Sequence, residues 1–259
     1  MFVLQNLKDF IDNPMGKGSN AIPNRQLIKN DLNRRYEELI KRKKIELKIY
    51  KNHDDYYFHF LIPSESERNN TYDVVLQFTM DKDDFKNDSY LDRYYIKFFS
   101  NCPSFVYTYA FVFNLYDMLI DDLKQKYDDR VLNEDPSTRN PGEIISYEKS
   151  IYFACYHLLR NRNYLSKSVL QSIAKPYSKK QILSEIRTDE MVQAEIKKEN
   201  NILKEKKEKE KQKKTNPAPN KPELKKQSTR STTPEPNIRV ITARKSSIKK
   251  IKPKKKIGK

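Results

Sequence analysis

The side chains of this chain that could do chemistry are few. They are Cys102 in SNCPSF, Cys155 with His157 in YFACYHLL, His53 and His59, and the acidic pairs Asp54/Asp55, Asp83/Asp84, Asp121/Asp122 and Asp128/Asp129. A catalytic cysteine needs a base within hydrogen-bond reach. On a helix, residues 155 and 157 point to different faces, so both cysteines read as small buried hydrophobes. A structural zinc site wants four ligands, usually at close Cys-x-x-Cys or His-x-x-x-His spacing, and neither spacing occurs. The acidic pairs stand at turns or on polar helix faces beside Lys or Arg, where solvated charge accounts for them. Gly16-Lys17-Gly18-Ser19 falls short of the phosphate-cradling G-x-x-x-x-G-K-[ST] and follows a helix instead of a strand; Lys17 is at most a phosphate contact. With no constellation of nucleophile, base and oxyanion donor, the expectation is a protein that is not an enzyme and takes no metal or cofactor.

Composition agrees with that reading. Only four glycines are present in 259 residues, little material for loops that must approach a nucleotide closely. Two cysteines 53 residues apart suit a reducing compartment. MFVLQNLKDFIDNP carries Lys8 and Asp9 inside its apolar stretch and is read as no signal peptide. No run reaches the roughly 18 apolar residues of a membrane span.

The net charge of +17 is confined to the last quarter of the chain. From Lys197 onward there are 23 Lys and Arg against 6 Glu, which leaves 29 basic and 29 acidic residues before it. A neutral body therefore carries a polycation, and the two need separate readings.

The elements that would position any site follow from periodicity. Residues 2–12 and PNRQLIKNDLNRRYEELIKRKK, with Leu27, Ile28, Leu32, Tyr36, Leu39 and Ile40, have helical spacing. IELKIYKN, YYFHFLIP and YDVVLQFTM then change to strand-like alternation or continuous apolar runs with short polar turns. RYYIKFF is a fourth strand. The run after Pro103 is either a further strand or the start of a buried helix. LYDMLIDDLKQKY reads as an amphipathic helix with Leu115, Leu119, Ile120 and Leu123 inward, and DDRVLNEDPSTRNPGE as a long loop. Helices resume at SYEKSIYFACYHLLRN and YLSKSVLQSIA. The aromatic residues of 94–113 could stack bases, but no groove of Arg and Lys accompanies them, so they read as core or protein interface.

These signals predict an α+β domain over residues 1–174, with an antiparallel meander sheet at about 44–113 covered by N-terminal and C-terminal helices. A long charged helix follows at 175–214, protruding from the domain; its Ile182, Ile186, Met191, Val192 and Ile196 can pack on something, while its distal half is solvated. A disordered linker at 215–237 and a basic docking peptide at 238–259 complete the chain. The last block regains isoleucines among its bases, as a pure spacer would not. Its expected contacts with a partner or with nucleic acid are Arg239, Ile241, Arg244, Lys245, Ile248, Lys249, Lys250, Ile251, Lys252, Lys254, Lys255 and Lys256.

YDVVLQFTMD, followed by YIKFFSNCPSFVYTYAFVFN and preceded by DNPMGKGSNAIPNRQLIKNDLNRRYEELI, resembles structural proteins of tailed bacteriophages. The likeness covers about residues 1–160 and carries no catalytic signature. It implies a virion component, assembled in the host cytoplasm and bound to portal, connector, capsid or tail proteins in a multi-subunit assembly, with no role at a membrane. The alternative is an accessory protein that contacts DNA through its Lys-rich tail. The order of elements is also similar to ubiquitin-conjugating-type folds, whose catalytic Asn and Cys surroundings have no counterpart here.

Overall fold

The computed structural model describes residues 5–13, 24–66, 70–80, 88–136, 138–145 and 147–215, with side chains to Lys209. Two helices, α1 (Leu7–Asp12) and α2 (Arg25–Arg42), precede strands β1 (Glu46–Asn52), β2 (Asp55–Pro63), β3 (Thr71–Thr79) and β4 (Tyr95–Ser100). Neighbouring strands pair antiparallel from β1 to β4. A two-residue strand, β5 (Lys175–Pro176), adds in parallel to β1, so the sheet order is β4-β3-β2-β1-β5. The protein is therefore α+β with a mostly antiparallel sheet.

The register sorts the sheet into two unlike faces, because paired residues share a side. One face carries Ile49, Phe58, Phe60, Val74, Leu76, Phe78, Ile96 and Phe98. It is buried under α1, α2, α4 (Ala110–Leu115) and α6 (Lys149–Arg160). Phe10 of α1 packs on Phe98 at 4.5 Å between ring centres, and Phe98 meets Phe113 of α4 edge-on at 5.4 Å. The other face carries Tyr50, Tyr57, His59, Asp73, Val75, Gln77, Lys97 and Phe99. A face of this composition needs polar partners wherever it is covered.

The antiparallel meander ends at Ser100, short of the expected limit near 113. Pro103 opens α3 (Pro103–Thr108), where its missing N–H costs nothing, and α4 follows. The expected helix over LYDMLIDDLKQKY is also replaced. Asp117 takes a left-handed φ of 55°, and Leu115 is 55 % exposed instead of inward. Met118–Ile120 then run extended beside β4, with the Phe98 N–H donating to the Met118 carbonyl at 2.8 Å and Ile120 N–H donating to Phe98 at 3.1 Å. Covering the β4 edge satisfies backbone groups that a helix would have left bare. Only Asp121–Lys126 turn helically, as a 3-10 segment. The expected loop after it contains α5 (Asp129–Asn133), capped by Asp128.

After α6, a 3-10 turn and α7 (Lys167–Ile173) lead to β5. The single long helix expected from 175 is two helices, α8 (Lys179–Glu185) and α9 (Asp189–Thr215), separated by Ile186, Arg187 and Thr188. Residues 175–192 also belong to the compact unit, which runs to Gln212, instead of protruding from a body that ends at 174. Ile182, Ile186 and Val192 are buried, and the Tyr177 ring stacks on Tyr57 at 4.2 Å. The apolar residues of this stretch cover the second face of the sheet.

Candidate functional site

Two constellations concentrate the polar chemistry of the described residues. The first lies under α8 and the turn after it. Asp73, 1 % exposed, accepts from His59 Nε2 at 2.8 Å, from Arg187 Nε at 2.9 Å and from Asn101 Nδ2 at 2.9 Å. Its own N–H donates to Asn101 Oδ1 at 2.8 Å. The Arg187 fork also donates to the Thr71 carbonyl at 2.8 Å and reaches Glu195 at 2.8 Å. Burial pulls the Asp73 carboxyl upward, but the His59 hydrogen bond and the Arg187 charge together hold it below the usual carboxylate range. Next to this cluster, Glu185 accepts from Lys48 and from the Tyr50 hydroxyl, and Asp122 pairs with Lys179 and Tyr177. This is a clasp: Asp73 and Asp122 are matched to bases or a hydroxyl of residues 177–187, and Glu185 of α8 to a base and a hydroxyl of β1.

The second constellation is a cavity of about 730 Å³ between the N-terminal half of α2, the ends of β2 and β3, and the entrance to α6. That is within the range of ligand pockets, about 300–1,000 Å³. Leu27 and Ile28, expected to pack inward from α2, instead stand exposed on its rim. Tyr72, Tyr109 and Tyr147 form aromatic walls, with Cys102 and Glu148 deeper in. Arg35 holds Glu65 through two nitrogens, and Lys149 holds the same carboxylate at 2.9 Å. Burial opposes ionisation of Glu65, yet those two cations bring its carboxyl down to about 2.

Glu148 occupies the N-cap of α6. One carboxylate oxygen, Oε2, accepts from the Ile151 N–H at 2.9 Å and from the Ser150 hydroxyl at 2.6 Å. The other, Oε1, is buried without a hydrogen-bond partner, as is the hydroxyl of Tyr147. Tyr147 itself adopts a φ of 71°, a left-handed conformation that is strained for a bulky residue. Both unsatisfied groups therefore occur side by side in the sequence at a strained entrance to a helix.

The cysteines are buried and unbridged. Burial, followed by the nearby charge of Glu148, pushes the Cys102 thiol up to about 12, and burial alone raises that of Cys155 well above its ordinary value. Neither is a thiolate near neutrality. The native chain should therefore resist a thiol reagent such as dithionitrobenzoate, while the denatured chain titrates both cysteines. Fast reaction of either in the native state would contradict this burial. His157 turns from Cys155 to the Tyr36 hydroxyl, 2.7 Å from its Nδ1. Each described acidic pair has a member engaged in structure: Asp55 accepts from Gln77, Asp121 from Lys97, Asp122 from Tyr177, and Asp128 from the Arg130 N–H. Asp83 and Asp84 lie outside the described residues, as do Lys17 and all twelve contact residues expected between Arg239 and Lys256. Among the described residues, no three His, Cys, Asp or Glu side chains lie together as metal ligands, and no helix is long and apolar enough to cross a membrane.

These groups link stability to pH with a definite sign. Burial lowers the His157 pKa, so the unfolded chain takes up its proton first as pH falls below about 6.5. Asp73 is also depressed in the fold, while Glu65 and Glu185 are brought to about 2, Glu185 chiefly by Lys48. Their stabilisation is present above about pH 5 and is lost as they protonate below the ordinary carboxylate range, about 4. Urea midpoints should be level between pH 7 and 8, fall gently below 6.5 and fall steeply below 4. A midpoint that rises on acidification from 7 to 5 would contradict the assignment.

The residues that sequence reasoning did not single out are Asp73, Asn101, Glu148 and Arg187; His59 was weighed only as a metal ligand. His59 and Asp73 did leave a signal, as polar residues inside the apolar runs YYFHFLIP and YDVVLQF. Comparison with protein-family models, curated proteins and solved structures finds no match to this chain.

Proposed function

We propose that the protein is a non-enzymatic structural component of a tailed phage particle, which binds other virion proteins through its folded body and its basic tail. The observation that carries this reading is α9. Its last buried residue is Val192, and from Lys197 to Lys209 every described side chain is exposed, including Ile202 and Leu203 at about half of their surface. A helix with no face of its own to bury is not stabilised by the fold that begins it. It serves as the stem of a tether whose charge, counted from Lys197 onward, is the chain's +17. The buried, protonated thiols and the acids engaged in the clasp support a scaffold in preference to a catalyst. Mass spectrometry of purified particles tests the proposal. The chain is expected among the stoichiometric components, and its absence from particles, with recovery only from host lysate, would refute it.

The tail's charge favours one second reading, an accessory protein that binds DNA without sequence preference. In that case binding should fall steeply with salt. Docking of Ile238–Lys259 on a protein should instead survive salt and be weakened by replacing its isoleucines with Ser, because apolar burial is not screened.

A further inference from the structure

We propose that the cavity beside the entrance to α6 is a binding site for a primary alkylammonium group, with Glu148 as its counter-ion. The proposal stands independently of the particle in which the chain works. Of the carboxylates around the cavity, Glu65 is matched by Arg35 and Lys149, and Asp31 pairs with Arg34 at 2.6 Å. Glu148 has no ion-pair partner among the described residues and is 2 % exposed. One of its oxygens is already committed to capping α6; the other is buried and accepts nothing.

A buried charge without a partner is costly, and a single N⁺–H donor would correct it. The walls suit the same group. Tyrosine faces attract a cation, and here Tyr72, Tyr109 and Tyr147 line the cavity with Glu148. The negative potential of Glu148 is felt at two other lining groups, adding to the effect of burial in raising both the Cys102 thiol and the Tyr109 hydroxyl to about 12. Because Oε1 is enclosed, the occupant must be slender and must carry N–H. A primary ammonium on an unbranched stem meets both conditions; a quaternary ammonium meets neither. That stem belongs either to a free small amine or to a lysine side chain.

The test is a titration of the full chain with n-butylammonium, followed by the chemical shifts of the tyrosine rings or by calorimetry. Saturable binding is expected, with n-butanol and tetramethylammonium at least tenfold weaker. Glu148→Gln keeps a carbonyl oxygen to cap α6 and should weaken butylammonium at least tenfold. Tyr72→Leu leaves the cap intact, removes one aromatic wall and should weaken it severalfold. Equal binding of butanol, retained affinity in folded Glu148→Gln, unchanged affinity in Tyr72→Leu, or no saturation by the wild type would each overturn the proposal. A synthetic peptide of residues 238–259 that displaces butylammonium would make the source a lysine side chain. A peptide that does not compete, beside saturable butylammonium, would exclude the chain's own tail as that source.

Discussion

Arg187→Ala is expected to lower the free energy of unfolding by about 3–5 kcal/mol, the usual result of removing one partner from a buried ion pair. The carboxylate left behind, Asp73, is 1 % exposed and cannot turn to water. His59 and Asn101 still hold it, which places the effect toward the lower end of that range. The Thr71 carbonyl loses its donor as well. Arg187→Lys should recover only part of the loss, because one ammonium cannot reproduce a fork that serves Asp73, Thr71 and Glu195 from three nitrogens. Glu195→Ala provides the contrast. That carboxylate is half exposed, and its removal should cost no more than about 1 kcal/mol. Equilibrium urea unfolding of the three variants measures these differences; an Arg187→Ala midpoint indistinguishable from wild type would show that the clasp does not hold the fold.

A larger effect is expected from shortening the chain. Residues 1–174 alone should fail to fold cooperatively, whereas 1–196 should melt close to the full protein. The shorter piece loses Ile182, Ile186 and Val192, all buried, each contributing about 1.5–3 kcal/mol. It also loses the Tyr177 ring on Tyr57 and the cation that neutralises Asp73. Together these approach the whole stability of an ordinary domain, about 5–15 kcal/mol, and they uncover a sheet face bearing Tyr50, Tyr57 and Phe99. Such a face invites aggregation. Circular-dichroism melting and size exclusion separate the outcomes, and a sharp, monomeric transition for 1–174 would refute the role assigned to residues 175–192. Limited proteolysis of the full chain should correspondingly leave a resistant fragment that ends beyond Val192.

The strands show how far pattern reading reaches. β1 to β4 were legible because a two-residue period reports which side of a strand is wet, and the turns between them are short and polar. β2 and β3 carried a further clue. DYYFHFLIP and TYDVVLQFT are apolar on both sides, which requires two covers. Nothing in either strand says what the second cover is. In LYDMLIDDLKQKY, helical spacing was present but gave way to the unpaired edge of β4, where Met118–Ile120 supply backbone partners that only the assembled sheet makes available. At the cavity, Leu27 and Ile28 share the period of α2 with Leu32 and Tyr36. They nevertheless line an opening, because the chain that could cover them is set by packing and not by α2.

Legible from neighbouring residues alone were local or additive features: the segregation of charge into residues 197–259, the α+β class, the helices α2 and α6 and the meander. Each depends on the spacing or sum of neighbouring residues. Tertiary structure decided the remainder. It decided what Ile182, Ile186 and Val192 meet, setting residues 175–192 on the second face of the sheet instead of along one protruding helix, and it brought Arg187 to Asp73 across 114 positions. It also left Glu148 with an oxygen that nothing in the described protein satisfies. The physical reason is the same in each case. Burial, ion pairing and the desolvation that makes them matter are properties of surfaces meeting in space, and a one-dimensional period specifies which side of an element is apolar without specifying what that side will meet.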